Sequence, residues 1–118
     1  MKTILIIEDE DIIRETIVNI LTQLKFNILT ATEGEEALEV LKENHESIDI
    51  VISDINMPNG MGGLEFIGEV EKTEKYNDIE IYVMSGYLNN QETVLESKRV
   101  KGYLAKPFQI PALLEVLK

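Results

Sequence analysis

Thr3-Ile4-Leu5-Ile6-Ile7-Glu8-Asp9-Glu10-Asp11 is an unbroken apolar run that ends in four consecutive carboxylates. An apolar run of strand length that does not alternate with polar residues belongs to a strand covered on both faces. Ile50-Val51-Ile52 and Ile81-Tyr82-Val83 have the same character. Asn27–Ala31 and Gly102–Ala105 are mixed in polarity, which suits edges or partial cover. The strands expected are therefore Thr3–Ile7, Asn27–Ala31, Ile48–Ser53, Ile79–Met84 and Gly102–Ala105.

Helical patterns fill the spaces between them. Ile12, Ile13, Ile17, Ile20, Leu21 and Leu24 recur at helical spacing behind Asp11, a residue type suited to an N-cap. Thr32-Glu33-Gly34-Glu35 has the form of a capping box, and Ala37, Leu38 and Leu41 then mark a buried stripe. Leu64, Ile67 and Val70 mark a third helix. A fourth, over Asn90–Arg99, is anchored by Val94 and Leu95 alone and is expected to be the least firmly held. Ile110, Leu113, Leu114 and Leu117 mark a fifth, with Pro111 allowed in its first turn. A strand–helix unit repeated five times, with short links, predicts an α/β fold. Its core is a doubly wound five-stranded parallel sheet with helices on both faces.

Composition agrees with this and narrows the function. The 118 residues suit one domain over residues 1–118, and 44% hydrophobic with 28% charged residues is ordinary globular usage. The absence of cysteine excludes a disulfide scaffold, a thiolate metal site and a cysteine nucleophile. Apolar runs fall far short of the roughly 20 residues of a membrane helix, and the N-terminus lacks a signal peptide's apolar stretch. A soluble, cytoplasmic protein is expected. Eleven basic against twenty-two acidic residues give a net charge of −11, which disfavours nucleic acid and anionic membranes. The same balance permits a hard cation or a partner with a basic face.

In a doubly wound sheet, chemistry belongs at the carboxyl ends of the strands, near the switch in strand order. Glu8-Asp9-Glu10-Asp11 follows the first strand and Asp54-Ile55-Asn56-Met57-Pro58 the third. Ser85-Gly86-Tyr87 follows the fourth strand, and Lys106-Pro107-Phe108 the fifth. Carboxylates brought within a few ångströms repel one another, and a hard cation with oxygen ligands relieves that. Mg²⁺ fits best, since it takes a few carboxylates, keeps waters and leaves room for a phosphate oxygen. Lys106 adds a compact positive charge and Ser85 a hydrogen-bond donor, as a phosphoryl group held on a carboxylate requires. Each residue alone has a plainer explanation. Glu8-Asp9 could be a solvated loop, Asp11 a cap, Asp54 and Ser85 turn formers, Lys106 a surface lysine and Tyr103 a strand aromatic. Their joint arrival, in order, at four strand ends favours a site.

With these motifs in place, the chain resembles the receiver domain of two-component response regulators, of the kind found in the small chemotaxis regulator. The resemblance runs from Ile4-Leu5-Ile6-Ile7-Glu8-Asp9-Glu10 to Lys106-Pro107-Phe108. It implies that Asp54 is the phosphoacceptor and takes phosphate from a partner sensor histidine kinase or phosphotransfer protein. Glu8, Asp9, Asp54 and the backbone carbonyl of Asn56 would hold Mg²⁺ (or Mn²⁺). Lys106 and Ser85 would bind the phosphoryl group, with the Lys106–Pro107 bond cis. Ser85 and Tyr103 would form the switch pair that alters a surface of helix four, strand five and helix five. That surface would control a downstream protein target, a fused output domain or a second copy. Asn56 and Tyr87 would govern how fast the phosphoryl group is lost. Such a module is a signalling switch that catalyses its own phosphorylation and dephosphorylation, and is not a turnover enzyme.

Three features depart from the family pattern. Glu8 stands where Asp is commoner. The loop Met57-Pro58-Asn59-Gly60-Met61-Gly62-Gly63 is one residue longer than usual and lacks an Asp before its last Gly. The last helix ends at Lys118, short of the usual end, which suits either a compact terminus or a receiver that continues into a linker and output domain.

Two enzyme or cofactor classes share parts of this pattern. A haloacid-dehalogenase-type phosphohydrolase also uses an Asp nucleophile and Mg²⁺, but wants that Asp after the first strand, a second Asp two residues on, and a substrate cap. Glu8 and Asn56 occupy those positions here. A flavodoxin-type flavin-binding module would share the flavodoxin-like βα order, yet needs a phosphate loop where Glu8-Asp9-Glu10-Asp11 would repel phosphate. His45, the single histidine, sits at the expected end of the second helix, where a cation suits the helix dipole. No second ligand accompanies it in a metal motif. Met57, Met61 and Met84 suit gap filling.

Overall fold

In the computed structural model, which describes residues 2–55, 60–85, 100–105 and 114–115, five parallel strands form one sheet. They are β1 (Thr3–Ile7), β2 (Asn27–Ala31), β3 (Ile50–Asp54), β4 (Glu80–Ser85) and β5 (Val100–Ala105), in the order β2-β1-β3-β4-β5. The two strands of mixed polarity, β2 and β5, are the edges. The described helices are α1 (Asp11–Gln23), α2 (Gly34–Asn44) and α3 (Gly63–Glu71), with a 3-10 turn at Glu74–Tyr76. Leu114 and Glu115 are helical, within the span expected of the fifth helix. The expected fourth helix and the rest of the fifth lie outside the described residues.

The continuous apolar runs are explained by two cores, one on each face of the sheet. Ile4 and Ile6 of β1 join Ile50 and Ile52 of β3 against Ile17 and Leu21 of α1. Leu5 and Ile7 face the other way, with Val51, Leu41 of α2, and Phe66 and Val70 of α3. All four apolar side chains of β1 are fully buried, each contributing about 1.5–3 kcal/mol relative to exposure. Phe66 is among the largest buried side chains, although Leu64, Ile67 and Val70 had marked this helix in the sequence.

Several local expectations shift. Helix α1 is capped by Glu10, not Asp11, because the Glu10 carbonyl already accepts the first helical bond from Arg14 N–H at 2.9 Å. Asp11 instead pairs with Arg14 at 2.6 Å. Likewise, Ala37 N–H bonds to the Glu33 carbonyl at 3.0 Å, which makes Glu33 the cap of α2. Glu36 in turn accepts from the N–H of Thr32, the residue before the cap, at 2.9 Å. Ile12 is 80% exposed and Leu24 41%. The stripe that packs is Ile13, Ile17, Ile20 and Leu21, and Ile12 lies about 100° round the helix from Ile13. Ile48, placed in β3 from the sequence, is buried but belongs to the turn after α2, with its N–H on the Asn44 carbonyl at 3.2 Å. The strand begins two residues later.

Candidate functional site

The sheet order reverses between β1 and β3, which are hydrogen-bonded neighbours although β2 separates them in sequence. Their register ends with Ile7 opposite Ser53. One residue further along each chain stand Glu8 and Asp54, brought side by side at the carboxyl edge. Asp9 completes the group. Glu8, Asp9 and Asp54 each offer a carboxylate oxygen, and these oxygens all lie within 4.8 Å of one another. Glu8 is 0% exposed and Asp54 3%, while Asp9 is partly buried.

Backbone hydrogen bonds fix both main contributors. Glu8 N–H donates to the Ala31 carbonyl at 3.1 Å, tying the end of β1 to the end of β2. Its carboxylate accepts from Glu10 N–H at 3.1 Å. Arg14 donates from Nη1 to the Glu8 carbonyl at 3.0 Å while its other Nη holds Asp11. Its side chain is 16% exposed. Behind Asp54, the Ser53 hydroxyl donates to the Asp54 carbonyl at 3.0 Å, and Ile55 N–H donates to Met84 at 3.0 Å. The returning loop closes with Gly63 N–H on the Ile55 carbonyl at 3.1 Å. The backbone on either side of the Asp54 carboxylate is thus held in place.

Arg14 was not singled out from the sequence. The available signal was its place three residues after Asp11, a spacing that pairs opposite charges on a helix; nothing local reveals the bond to Glu8. Glu33 was noted only inside a capping box, yet its carboxylate accepts from Glu35 N–H at 3.0 Å, Glu36 N–H at 2.7 Å and Met61 N–H at 3.0 Å. Burial pushes this carboxyl up, but the three backbone donors outweigh it and hold it below the ordinary glutamate value.

The remaining expected positions follow the sheet. Ser85 ends β4 opposite Ala105, Tyr103 lies opposite Val83, and Asp54 lies opposite Met84. The backbone thus places Ser85 at the same edge as Asp54. Asn56, Tyr87, Lys106 and Pro107 lie outside the described residues. His45 follows the last residue of α2, at the far end of that helix from this edge. Its ring meets Tyr76 edge-on, with centroids 5.6 Å apart. A set of three close carboxylates at the topological switch point can accept a hard cation and present one oxygen as a nucleophile.

Comparison with known proteins bears on that chemistry. Residues 4–118 match the response regulator receiver domain family. The sensor kinase CckA of Brucella abortus is 35% identical over 117 residues, covering 98% of this chain but 12% of that protein. A chemotaxis protein CheY homolog of Campylobacter jejuni is 34% identical over 117 residues, covering 98% of this chain and 88% of that protein. Among solved structures, the response regulator TrrA of Thermotoga maritima, in complex with Mg²⁺ and BeF, superposes with a TM-score of 0.86. It is 37% identical and the match covers 99% of this chain and 96% of that one.

Proposed function

The chain belongs to the response regulator receiver domain family, whose members are phosphorylation-dependent signalling modules, and from this premise we propose that Asp54 is its phosphoacceptor. The observation that carries the proposal is the meeting of Glu8, Asp9 and Asp54, with carboxylate oxygens within 4.8 Å at the β1/β3 switch point. Receiver domains bind Mg²⁺ at an acidic pocket. The donor set here, hard oxygens from three carboxylates, fits Mg²⁺ or Mn²⁺, and by resemblance the Asn56 carbonyl would add a ligand. A cation held there offsets the negative charge of both the carboxylates and an incoming phosphoryl group.

Receiver domains work with histidine kinases, and sensor kinases are among this chain's relatives. In the reaction proposed, an Asp54 carboxylate oxygen forms a bond to phosphorus while the bond from phosphorus to the donor's imidazole nitrogen breaks. The released histidine takes up a proton from solvent. Glu8 and Asp9 would hold the cation. Lys106 and Ser85 would bind phosphoryl oxygens, and Tyr103 would follow Ser85 as the switch aromatic. The altered surface would be helix four, β5 and helix five, read by a protein target, an output domain or a second copy. Loss of the phosphoryl group would be tuned by Asn56 and Tyr87. The chain would thus act on itself as a cytoplasmic switch without turning over a free substrate. No helix among the described residues is long and apolar enough to cross a membrane.

Two measurements test this reading. After reaction with a small phosphodonor and Mg²⁺, peptide mapping is expected to find the label on the peptide carrying Asp54. Label on any other residue would overturn the assignment. Amide exchange with and without beryllofluoride should change at Val100–Ala105 and the segments flanking it. Changes confined to α1 and α2 would remove the proposed output surface.

A further inference from the structure

Arg14 commits its guanidinium to the turn between β1 and α1. Nη1 donates to the Glu8 carbonyl at 3.0 Å and Nη2 to Asp11 Oδ1 at 2.6 Å, while the Arg14 N–H donates to the Glu10 carbonyl at 2.9 Å. The ion pair with Asp11 does not account for this placement. Asp11 is 78% exposed and Arg14 only 16%, whereas charge pairs on a helix surface form with both side chains in water. A guanidinium drawn out of water needs acceptors for its donors. Here the Glu8 carbonyl is one of them, six residues back along the chain and outside the helix.

The oxygen that Nη1 holds belongs to the peptide joining Glu8 to Asp9. That unit is planar, with the Cα of Glu8 at one end and the Cα of Asp9 at the other. One hydrogen bond to its carbonyl therefore restrains the direction in which both side chains leave the backbone. Both belong to the group whose carboxylate oxygens lie within 4.8 Å of one another. Glu8 is also held by its N–H on the Ala31 carbonyl and by the Glu10 N–H on its carboxylate, each at 3.1 Å. Of these three bonds, only that from Arg14 acts on the peptide between the two carboxylates. Charge works against such a neighbour, because a guanidinium repels a cation. Any metal affinity gained from Arg14 must come from geometry: carboxylates aimed before the ion arrives lose less freedom on binding it. We propose that Arg14 is a positioning residue for the divalent cation, acting through the Glu8–Asp9 peptide on two of the three carboxylates. The proposal rests on the metal-dependent phosphoacceptor reading given above and deepens it.

The test uses the full chain with Arg14→Gln and Arg14→Met, so that one variant reports if the other folds poorly. Both residues suit a helix, and neither keeps the charge or the bond to Glu8. Met has no donor, and the Gln amide ends two bonds short of the guanidinium nitrogens. Affinity for Mg²⁺ alone is measured by calorimetric titration, and phosphoryl uptake from acetyl phosphate is followed across Mg²⁺ concentrations. Each variant is expected to raise the half-saturating Mg²⁺ concentration by about three- to tenfold, equivalent to roughly 0.7–1.4 kcal/mol. The rate at saturating Mg²⁺ should stay within about twofold of the parent chain, on the same scale. Asp11→Asn, which removes the ion pair but leaves Arg14 its bond to Glu8, should bind Mg²⁺ within about twofold of the parent. Urea unfolding without metal is read alongside. A lowered unfolding midpoint with unaltered Mg²⁺ affinity, in either Arg14 variant, would leave Arg14 a role in folding only and overturn the proposal. Tighter Mg²⁺ binding, the result expected from removing a positive charge alone, would overturn it too. So would a loss in Asp11→Asn as large as that in Arg14→Gln. Asp54→Asn separates the two claims: continued uptake there removes the site itself, whereas blocked uptake with Mg²⁺ dependence unaltered in Arg14→Gln removes Arg14 alone.

Discussion

Two groups of carboxylates lie at this edge of the sheet, and their surroundings differ. Glu33 is partly exposed, and its oxygens are filled by three backbone N–H donors. Glu8 and Asp54 are buried and brought, with Asp9, to within 4.8 Å of one another. In the first group the negative charge is used by the fold: it caps a helix and joins two loops. In the second, the backbone is secured by Ala31, Arg14, Ser53 and Met84, while like charges are concentrated on the side chains. Like charges this close repel one another. On the reading proposed above, a cation and a phosphoryl group would account for that concentration.

The difference can be broken most forcefully at the buried group. Glu8→Gln and Asp9→Asn should each weaken Mg²⁺ binding by about tenfold or more, because each removes a charged ligand. In metal-free buffer the same variants should melt at or above the parent temperature, since repulsion is relieved. Added Mg²⁺ should raise the melting temperature of the parent chain more than that of either variant. Equal metal-induced shifts in all three chains would show that the cluster is not a metal site.

A second comparison probes how tightly the backbone behind Asp54 is packed. A Cβ at Gly63 would overlap the Asp54 carbonyl oxygen and lie 2.8 Å from Ile55 Cα, whereas one at Gly68 meets nothing within 4 Å. Gly63→Ala should therefore lose about 2–3 kcal/mol of stability. Gly68→Ala, in the middle of the same helix, should gain about 0.5–1 kcal/mol. Urea unfolding of the two variants checks this, and a gain in both would mean that the start of α3 is not packed against the Asp54–Ile55 backbone.

The smallest effect expected is on the Glu33 side. Its folded-state carboxyl is held below the ordinary value, so the stability it contributes is present above that value and lost as pH falls through the folded one. The stability gap between the parent chain and Glu33→Gln should be full at neutral pH and shrink below roughly pH 4.3. A gap that persists unchanged into acid would mean that the Glu33 charge does not contribute.

Much of this was legible in the sequence because it is local or periodic. β1 and β2 occupy the spans their polarity predicts, and Glu8 and Asp54 follow buried strands whose ends the fold must bring together. The helix starts were read one residue off at Asp11 and Thr32. Side-chain type suggested those caps, whereas the first helical hydrogen bonds run to Glu10 and Glu33. Ile12 was counted as core because adjacent isoleucines both fit a helical stripe, and only packing decides which one is covered. The hydrogen bond from Met61 to Glu33 spans 28 residues and leaves no periodic trace. Ser85, Tyr103 and Lys106 were read from motif and strand position, and their roles rest on the family pattern.

The intact mass of the chain after incubation with acetyl phosphate tests the central claim most directly. The parent chain with Mg²⁺ is predicted to gain the mass of one phosphoryl group, and none after the metal is chelated. Asp54→Asn, which keeps the shape of the side chain but removes its nucleophilic charge, is predicted to gain nothing under either condition. A phosphoryl adduct on Asp54→Asn, or one formed equally well in chelator, would contradict the assignment of this edge as a metal-dependent phosphoacceptor site.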